Sequence, residues 1–288
     1  MNSMSASELR IRPADATPER LLAYSHLLSD VFGEGPKFTE AAIAWRYRDN
    51  PIGTVVGADA WDGERLAAHY AVCPLEAAVE GRVIRGLVSL NTATHPDYQG
   101  RGLFSRLAES AYEQGATAGY EFVVGVANAN STPGFLRRLG FQDCGRLEAG
   151  ILARRPKDFR DRPVQFEGSW RKDTLAWRLA NPAGRYLSTR SGDLTAVWAQ
   201  THLPFVRCGA FLAAAPERPM PQAQPPVCAG LFIGLEPRLD LRRQGFWPVP
   251  ERFRPSPLNL IWRRLGASAP DRLERGAAAI TFLDFDPY

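Results

Sequence analysis

A glycine-rich turn between an apolar strand and a helix is the part of the sequence best suited to chemistry. Residues 86–94 read as a strand, residues 95–104 read HPDYQGRGLF, and a helical pattern follows. The first backbone N–H groups of a helix have no partner within it, and the helix dipole adds partial positive charge there. Gly100 and Gly102 have no Cβ, so an anion can approach the main chain. The segment therefore predicts a phosphate site.

A second pattern downstream makes the first more specific. Residues 122–126 read as a strand, the polar segment 128–131 follows, and residues 135–141 end in Leu-Gly-Phe. In order and spacing, the two patterns resemble the coenzyme A-binding region of the GNAT-type N-acetyltransferase superfamily. The loop of that superfamily reads Gln or Arg, two residues, Gly, one residue, then Gly or Ala. Phe104 departs from the last position, and the resemblance covers residues 7–155.

The resemblance implies a fold, a cofactor and a set of binding residues. The fold would be α+β, a mixed and mostly antiparallel twisted sheet flanked by helices. The co-substrate would be acetyl-CoA, whose pantetheine arm would pair with the backbone of Ala93 and Thr94. The pyrophosphate would lie in the loop formed by Gln99, Gly100, Arg101, Gly102, Leu103 and Phe104. Asn128 and Ser131 would line the pocket, although Asn and Ser at such positions also serve as helix caps.

The catalytic groups that the resemblance implies are not all present. Many relatives place a glutamate on the strand before the loop as general base, but residues 87–94 include no carboxylate. The usual acid is a tyrosine four residues before the Gly of Gly-Phe, where this chain has Leu136. Asn91 could position a water molecule, as could Ser89. His69 is a candidate base by its ordinary pKa, and its alternative is a structural histidine.

Local signals predict the elements that position these residues. Thr17 and Pro18 favour a helix start, which Gly33 ends, and a second helix begins near Thr39. A first strand at 9–12 and an antiparallel meander complete the predicted order, with meander strands at 54–61, 65–74 and 82–94 and turns at Asp62-Gly63 and Glu80-Gly81.

A weak internal repeat predicts that the chain is a tandem. Residues 45–53 (WRYRDNPIG) recur one residue shorter as residues 177–184 (WRLANPAG), and a turn signal follows each copy, at 62–63 and at 191–193. A chance echo between two helix ends is the alternative. On the tandem interpretation, residues 7–155 form the acetyl-CoA-binding domain, residues 156–171 an irregular connector, and residues 172–288 a related but degenerate half.

The second half lacks the phosphate loop. No Gln-x-x-Gly-x-Gly occurs after residue 160, and five prolines between 216 and 226 oppose a regular helix there. Residues 227–235 and 278–285 read as strands. We therefore expect a single cofactor site, in the first half.

Composition excludes several classes of protein. The 288 residues carry a net charge of +4 without a clustered basic stripe, so the sequence predicts no nucleic-acid partner. No apolar run approaches transmembrane length and residues 1–12 lack a signal peptide's apolar core, which favours a cytoplasmic protein without a membrane partner. Cys73, Cys144, Cys208 and Cys228 are scattered without metal-ligand spacing, so buried thiols are expected and no metal.

These observations favour an acyltransferase that moves an acetyl group from coenzyme A to an amine of a small molecule or sugar. Donors on an acyl carrier protein and peptidoglycan-type aminoacyl transfer are rival activities. A third alternative is a non-catalytic acyl-CoA-binding or regulatory module. Aromatic side chains are candidates for the acceptor pocket, namely Trp45, Tyr47, Trp170 and Trp177. A homodimer is left open.

Overall fold

A computed structural model describes residues 9–214, 229–254 and 256–285 of the chain. Helices α1 to α6 span Pro18–Phe32, Glu40–Tyr47, Leu103–Thr117, Thr132–Arg138, Lys172–Leu179 and Phe282–Phe285. Strands β1 to β7 span Arg10–Pro13, Val56–Asp62, Arg65–Val79, Arg82–Thr94, Phe122–Ala127, Gln142–Arg146 and Glu148–Leu152. Strands β8 to β15 span Phe166–Gly168, Tyr186–Ser191, Leu194–Gln200, Val206–Ala213, Ala229–Leu235, Phe246–Pro248, Asn259–Arg264 and Ala278–Thr281.

The strands form two groups that are joined edge to edge. The first has the order β1-β2-β3-β4-β5-β14-β6, and its antiparallel meander β2-β3-β4 leads into the parallel pair β4-β5. The second has the order β9-β10-β11-β12-β7-β13, with β11 and β12 parallel. Strands β8 and β15 connect β3 to β12. The predicted class, a mixed and mostly antiparallel sheet flanked by helices, is confirmed.

Each half of the chain gives one strand to the sheet of the other. Strand β14 lies between β5 and β6, where it pairs with both antiparallel. Reciprocally, β7 lies between β12 and β13. Neither sheet is therefore built from one half alone.

Helices cover both faces of the first sheet. Helices α1 and α2 pack on one face through residues such as Leu28 and Ile43, and the same core includes Val88 and Val124. Helix α3 packs on the opposite face through Leu107, among others. Alternate residues of β4 and β5 face opposite sides, so the two strands separate these two cores.

The two copies of the repeat touch one another. The rings of Trp45 and Trp177 are stacked with centroids 4.5 Å apart. The indole N–H of Trp45 donates to the carbonyl of Trp177 at 3.0 Å, and the indole N–H of Trp177 donates to the carbonyl of Trp45 at 3.0 Å. The repeat that the sequence shows is thus a reciprocal contact between helices α2 and α5.

Local predictions hold for most of the first half and fail at two places further on. The turns at Gly63 and Gly81 and the start of α1 at Pro18 are confirmed, as is the turn at Gly192. The connector, expected to be irregular, includes β8, which pairs with β3 and β15. The strand predicted over residues 278–285 is wrong after Thr281, because the Asp284 carboxylate accepts hydrogen bonds from the N–H and hydroxyl of Thr281 and closes a helical turn.

Three of the cysteines, Cys73, Cys144 and Cys208, are buried thiols outside any disulfide, as predicted. Cys228 and the prolines between 216 and 226 lie outside the described residues, as do residues 227 and 228 of the predicted strand that the structure places at Ala229–Leu235. Among the described helices, none is both long and apolar enough to cross a membrane.

Candidate active site

The cleft of the first half begins where two parallel strands part. Strands β4 and β5 are paired from Leu87–Val123 to Ser89–Gly125, and their C-terminal ends then diverge. A cleft of about 900 Å³ lies between the diverging ends, lined by residues 89–94 of β4 and by Gly125, Val126 and Asn128 of β5 and its loop. Backbone groups of β4 that face this opening are not used by β5, so an extended ligand could pair with them.

The glycine-rich turn lies at the mouth of the cleft. Gly100 and Gly102 have φ of 76° and 69°, in the left-handed region, and Gly102 directly precedes α3. A Cβ at either glycine would meet no protein atom within 4 Å. Packing therefore does not demand glycine here, whereas the backbone conformation does, and the space beside the main chain is available to a ligand. This arrangement fits a pyrophosphate at a helix N-terminus.

Not every residue of the predicted loop faces the cleft. Gln99 and Phe104 line it, and Ala93 and Thr94 line it from β4. The Leu103 side chain is buried against α3's core, so only its backbone could serve the site. The Arg101 guanidinium lies 5.0 Å from the centroid of the Tyr98 ring and does not line the cleft. Contacts of these residues with coenzyme A remain predictions.

Asn128 and Ser131 combine the two roles that the sequence left open. The Asn128 amide oxygen accepts hydrogen bonds from the backbone N–H groups of Asn130 and Ser131, each at 3.0 Å, and from the Ser131 hydroxyl at 3.1 Å. Both residues also line the cleft. Their side-chain bonds therefore shape the turn before α4, and this turn forms one wall of the cleft.

Asn91 stands at a β-bulge inside the cleft. The register between β3 and β4 shifts between Tyr70 and Ala71, which leaves Asn91 without a partner residue on β3. Its φ is 40°, a conformation that costs free energy in residues other than glycine. Bulges commonly re-aim a side chain at functional sites. Here the bulge places Asn91 in the cleft wall.

A buried chain of polar groups holds the Asn91 amide. Its nitrogen donates to the Tyr47 hydroxyl at 3.1 Å, and that hydroxyl lies 2.9 Å from His69 Nε2. The tyrosine oxygen accepts this bond, and in the neutral imidazole tautomer whose Nδ1–H faces Asp59, His69 Nε2 accepts the tyrosine proton. His69 Nδ1 then carries a proton and donates to Asp59 at 2.7 Å, and Asp59 also accepts from Tyr24 at 2.7 Å. Burial raises the pKa of Tyr47 well above its ordinary value.

This series of buried polar groups positions the Asn91 side chain but does not provide a path for proton transfer to the cleft. His69, Tyr47 and Asp59 are fully buried, and both ring nitrogens of His69 are engaged. The link from His69 to the cleft passes through the Asn91 amide, which does not exchange roles as acid and base. With its nitrogen held by Tyr47, Asn91 has an amide oxygen without a donor among the described residues. That oxygen is therefore the hydrogen-bond acceptor that Asn91 presents to the cleft.

Ser89, the other residue predicted to position a water molecule, is also hydrogen-bonded to a buried side chain. Its hydroxyl lies 2.8 Å from the Tyr70 hydroxyl, which is 2.5 Å from that of Tyr112. Burial raises the pKa of Tyr70 to about 12, so this phenol stays neutral at physiological pH.

The charged side chains that line the cleft are cationic. Lys37 and Arg46 lie on the side of α1 and α2, opposite the glycine-rich turn, and no carboxylate of the described residues lines the cleft. Leu136, at the position of the usual tyrosine, packs at the edge of the α3 core. Among the described residues, therefore, no carboxylate lines the cleft as a general base, and leucine stands at the position of the usual tyrosine acid, as the sequence predicts.

Sequence reasoning missed Tyr24 and Asp59 and took Tyr47 only for a pocket aromatic. The signal available was the Asp62-Gly63 turn, which places β2 beside β3. It does not reveal the bulge between Ala60 and Trp61, and this bulge is what aligns Asp59 with His69.

Comparisons with known proteins agree with the site. The family model described as an acetyltransferase (GNAT) domain matches residues 11–144. The fold resembles a GCN5-related N-acetyltransferase from Kribbella flavida, with a TM-score of 0.61, 13% identity, and coverage of 91% of this chain and 73% of that one. No curated protein matches the chain.

Two further solved structures share the fold. One is a GCN5-related N-acetyltransferase from Anabaena variabilis, with a TM-score of 0.57, 10% identity, and coverage of 89% of this chain and 73% of that one. The other is the Saccharomyces cerevisiae N-myristoyltransferase with bound myristoyl-CoA, with a TM-score of 0.57, 9% identity, and coverage of 91% and 83%. Identities this low show a common fold and no more. The matched domain, the loop and the parted strands agree: residues 11–144 of the chain are similar to the GNAT acetyltransferase domain.

Proposed function

We propose that the protein transfers an acetyl group from acetyl-CoA to an amine of a small molecule or sugar. Acetyl-CoA is the co-substrate, and it supplies a thioester carbonyl that an amine can attack. The observation that carries the proposal is the divergence of β4 and β5 after Ser89–Gly125, beside a turn whose glycines leave the main chain open. Location in the cytoplasm and dimerisation stay predictions from the sequence.

The residues of the chain would divide the work as follows. The turn around Gly100 and Gly102 would hold the pyrophosphate with backbone N–H groups, and Ala93 and Thr94 would offer backbone partners to the pantetheine arm. The Asn91 amide oxygen would accept a hydrogen bond from the attacking amine or from a water beside it. Because His69 has no exposed atom, the amine proton would leave to water in the open cleft.

Binding both reactants side by side supplies most of the rate in this mechanism. Well-oriented reactants gain on the order of 7–11 kcal/mol over reactants free in solution. A general base typically adds about 10²–10⁴-fold. A cleft without a carboxylate among its described lining residues can therefore still accelerate the reaction, at a lower rate than a relative with a true base.

Calorimetric titration with acetyl-CoA tests the proposal, with Gly102→Val and Gly119→Val as a matched pair. These glycines flank the two ends of α3, both have positive φ, and a Cβ at either meets open space. The backbone strain is therefore similar, and only Gly102 lies in the turn whose residues Gln99 and Phe104 line the cleft. We expect one site per chain, about 100-fold weaker binding in Gly102→Val because two charge-assisted hydrogen bonds are lost, and no loss in Gly119→Val.

Equal affinities in the two variants would overturn the placement of the pyrophosphate. A stoichiometry near two would contradict the proposal that the second half is degenerate and has no site of its own.

A non-catalytic acyl-CoA-binding module is the second candidate. It is favoured by Leu136 in place of tyrosine and by the lack of a carboxylate in the described cleft. Release of free CoA thiol in the presence of a panel of amines separates the two functions. Turnover that depends on the amine supports the transferase, whereas tight binding without release supports the module.

A further inference from the structure

A second, smaller cavity lies directly behind the closed end of the cleft. It has a volume of about 70 Å³ and is lined by Val88 of β4 and Val124 of β5, the last-but-one pair before the strands part. Leu90 and Arg46 line both the cleft and this cavity. The cavity therefore continues the cleft along β4, away from the glycine-rich turn.

The two copies of the repeat build the far wall. Trp45 and Trp177, stacked on one another, both line the cavity, as does Leu283 of α6. The remaining wall of the cavity includes Leu75 and Phe166. Phe166 belongs to the main core, and Leu75 packs against that core. Both halves of the chain thus contribute apolar surface to a space that shares Leu90 and Arg46 with the cleft.

The two carboxylates that line it interact with other protein groups. The Glu76 carboxylate lies 3.1 Å from the Arg171 guanidinium, and the Asp284 carboxylate accepts two hydrogen bonds from Thr281. Burial raises the pKa of the Cys73 thiol to about 12, so this lining residue is not a nucleophile at neutral pH. What the cavity offers a ligand is therefore mainly apolar contact.

We propose that this cavity receives the acyl chain of the donor, so that the protein accepts short-chain acyl-CoA thioesters longer than acetyl. The proposal rests on the acyltransferase function above. A donor held at the glycine-rich turn reaches the closed end of the cleft with its acyl group, and the cavity is the next space along β4. The acceptor enters from the open side, where Lys37 and Phe38 line the cleft.

The cavity volume limits the chain length. An apolar cavity of about 150 Å³ holds benzene, so one of about 70 Å³ suits roughly two or three carbon atoms. Propionyl and butyryl groups meet this limit, and a hexanoyl group exceeds it. Each buried methylene strengthens binding about fourfold, so butyryl-CoA should bind about 10- to 15-fold more tightly than acetyl-CoA.

Calorimetric titration of the full chain with acetyl-, butyryl- and hexanoyl-CoA tests this inference. The matched variants are Val124→Ile and Val123→Ile, adjacent in β5 and both buried, of which only Val124 lines the cavity. We expect Val124→Ile to remove most of the preference for butyryl-CoA while the affinity for acetyl-CoA stays the same. Val123→Ile, on the α3 side, should keep the preference.

Val88→Ile is a second cavity-filling variant in case Val124→Ile does not fold, which circular dichroism and thermal melting would show. Equal affinities for acetyl- and butyryl-CoA in the wild type would overturn the inference and leave the proposed function intact. The same holds for a preference that Val88→Ile and Val124→Ile both retain. If none of the thioesters binds, the proposed function itself fails.

Discussion

The two parallel strand pairs of the molecule begin alike and end differently. In the first half, β4 and β5 are paired over three residue pairs and then part, which leaves the cleft between them. In the second half, β11 and β12 are also paired over three residue pairs, from Val206–Ala229 to Cys208–Leu231. Beyond that point β15 pairs with Gly234 and Leu235 of β12, on the edge that faces away from β7.

The same topology is thus open in one half and closed by a further strand in the other. The space that remains open beside β5 is occupied beside β12 by β15, and α6 packs below it through Phe282 and Leu283. Strand β15 pairs with β12, the counterpart of β5, and so occupies the space into which a pantetheine arm would otherwise extend. Strand β15 thus closes the opening in the second half, and the four predictions below compare the two halves.

The interior of the first half should be the more fragile to substitution. It buries the Asp59 carboxylate against His69, whereas the hairpin β9–β10 of the second half buries apolar residues such as Val197 and Ala199. We expect His69→Leu to lower the free energy of unfolding by about 3–5 kcal/mol, because it leaves a buried carboxylate short of a partner. Urea denaturation measures this effect.

The double variant Asp59→Leu, His69→Leu is the control for that cost. Replacing both partners by apolar groups removes the uncompensated charge, so the double variant should be more stable than His69→Leu alone. A double variant that is less stable than the single one would show that packing around Tyr24, which stacks on the His69 ring at 4.0 Å, dominates instead.

The strand and helix that fill the second opening should respond to pH through Asp284. Burial raises the pKa of Asp284 to about 6, from an ordinary value of ~4. The folded state therefore binds more protons than the unfolded state between about pH 4 and 6, so this group's contribution falls as the pH rises through that window. Above it, the buried carboxylate costs on the order of 3 kcal/mol.

The measurement compares the wild type with Asp284→Asn by urea denaturation at several pH values. The variant loses the titrating group, so the difference between the two unfolding free energies should change in its favour by about 2 kcal/mol between pH 4 and 7. Any constant offset from altered hydrogen bonds to Thr281 does not affect this slope. A difference that stays constant over the same range would refute the prediction.

Local signals in the sequence explain why much of the first half was predictable. Turns at Gly63 and Gly81 and the helix start at Pro18 depend on residues that are close in the chain, so their structure follows from residue type. The exchange of β7 and β14 does not. Strand β14 pairs with residues more than 100 positions earlier, and nothing in its own sequence distinguishes that partner from a nearer one.

One-residue bulges explain why the buried polar groups behind Asn91 could not be predicted from the sequence. Counting back from the Asp62–Arg65 pair, a regular hairpin would place Asp59 opposite Ala68, but the shift between Ala60 and Trp61 places it opposite His69. A shift of one residue turns side chains to the other face of a sheet. The residue types on β2 and β3 therefore indicate candidate polar residues, but only the register of the two strands shows that Asp59 and His69 lie opposite one another.

The bulge at Asn91 interrupts the pairing of β3 with β4, whereas the described residues of β10 and β11 pair without a register shift. We expect Asn91→Ala to lower turnover by about 10-fold or less, because a positioned amine or water is only partly lost and no base is removed. Asn91→Gly keeps the positive φ without strain and should show the same loss, which separates the side chain from the backbone. Steady-state kinetics with saturating acetyl-CoA measures both.

A different result would identify the buried His69 as the general base. If His69→Ala lowered turnover by three orders of magnitude with unchanged affinity for acetyl-CoA, His69 would be the base and the positioning account would be wrong. Full activity in both Asn91 variants would remove Asn91 from the mechanism.

The smallest expected effect lies where the two halves are most alike. Each indole N–H of the stacked pair caps the last turn of the other copy's helix, where carbonyls have no partner within the helix. The contact is nevertheless unequal. The Trp177 carbonyl also accepts the N–H of Ala180, whereas the Trp45 carbonyl has no backbone donor beyond its helix among the described residues.

Replacing either tryptophan by benzothienylalanine removes the N–H and keeps the shape of the ring. At position 177 this leaves the Trp45 carbonyl without its donor, so we expect a loss of about 1–2 kcal/mol in the free energy of unfolding. At position 45 the Trp177 carbonyl keeps Ala180, and the loss should be about 0.5 kcal/mol or less. Denaturant titrations of the two variants resolve this difference. Equal losses would show that the two copies cap one another equivalently, and a larger loss at position 45 would reverse the asymmetry argued from the Ala180 contact.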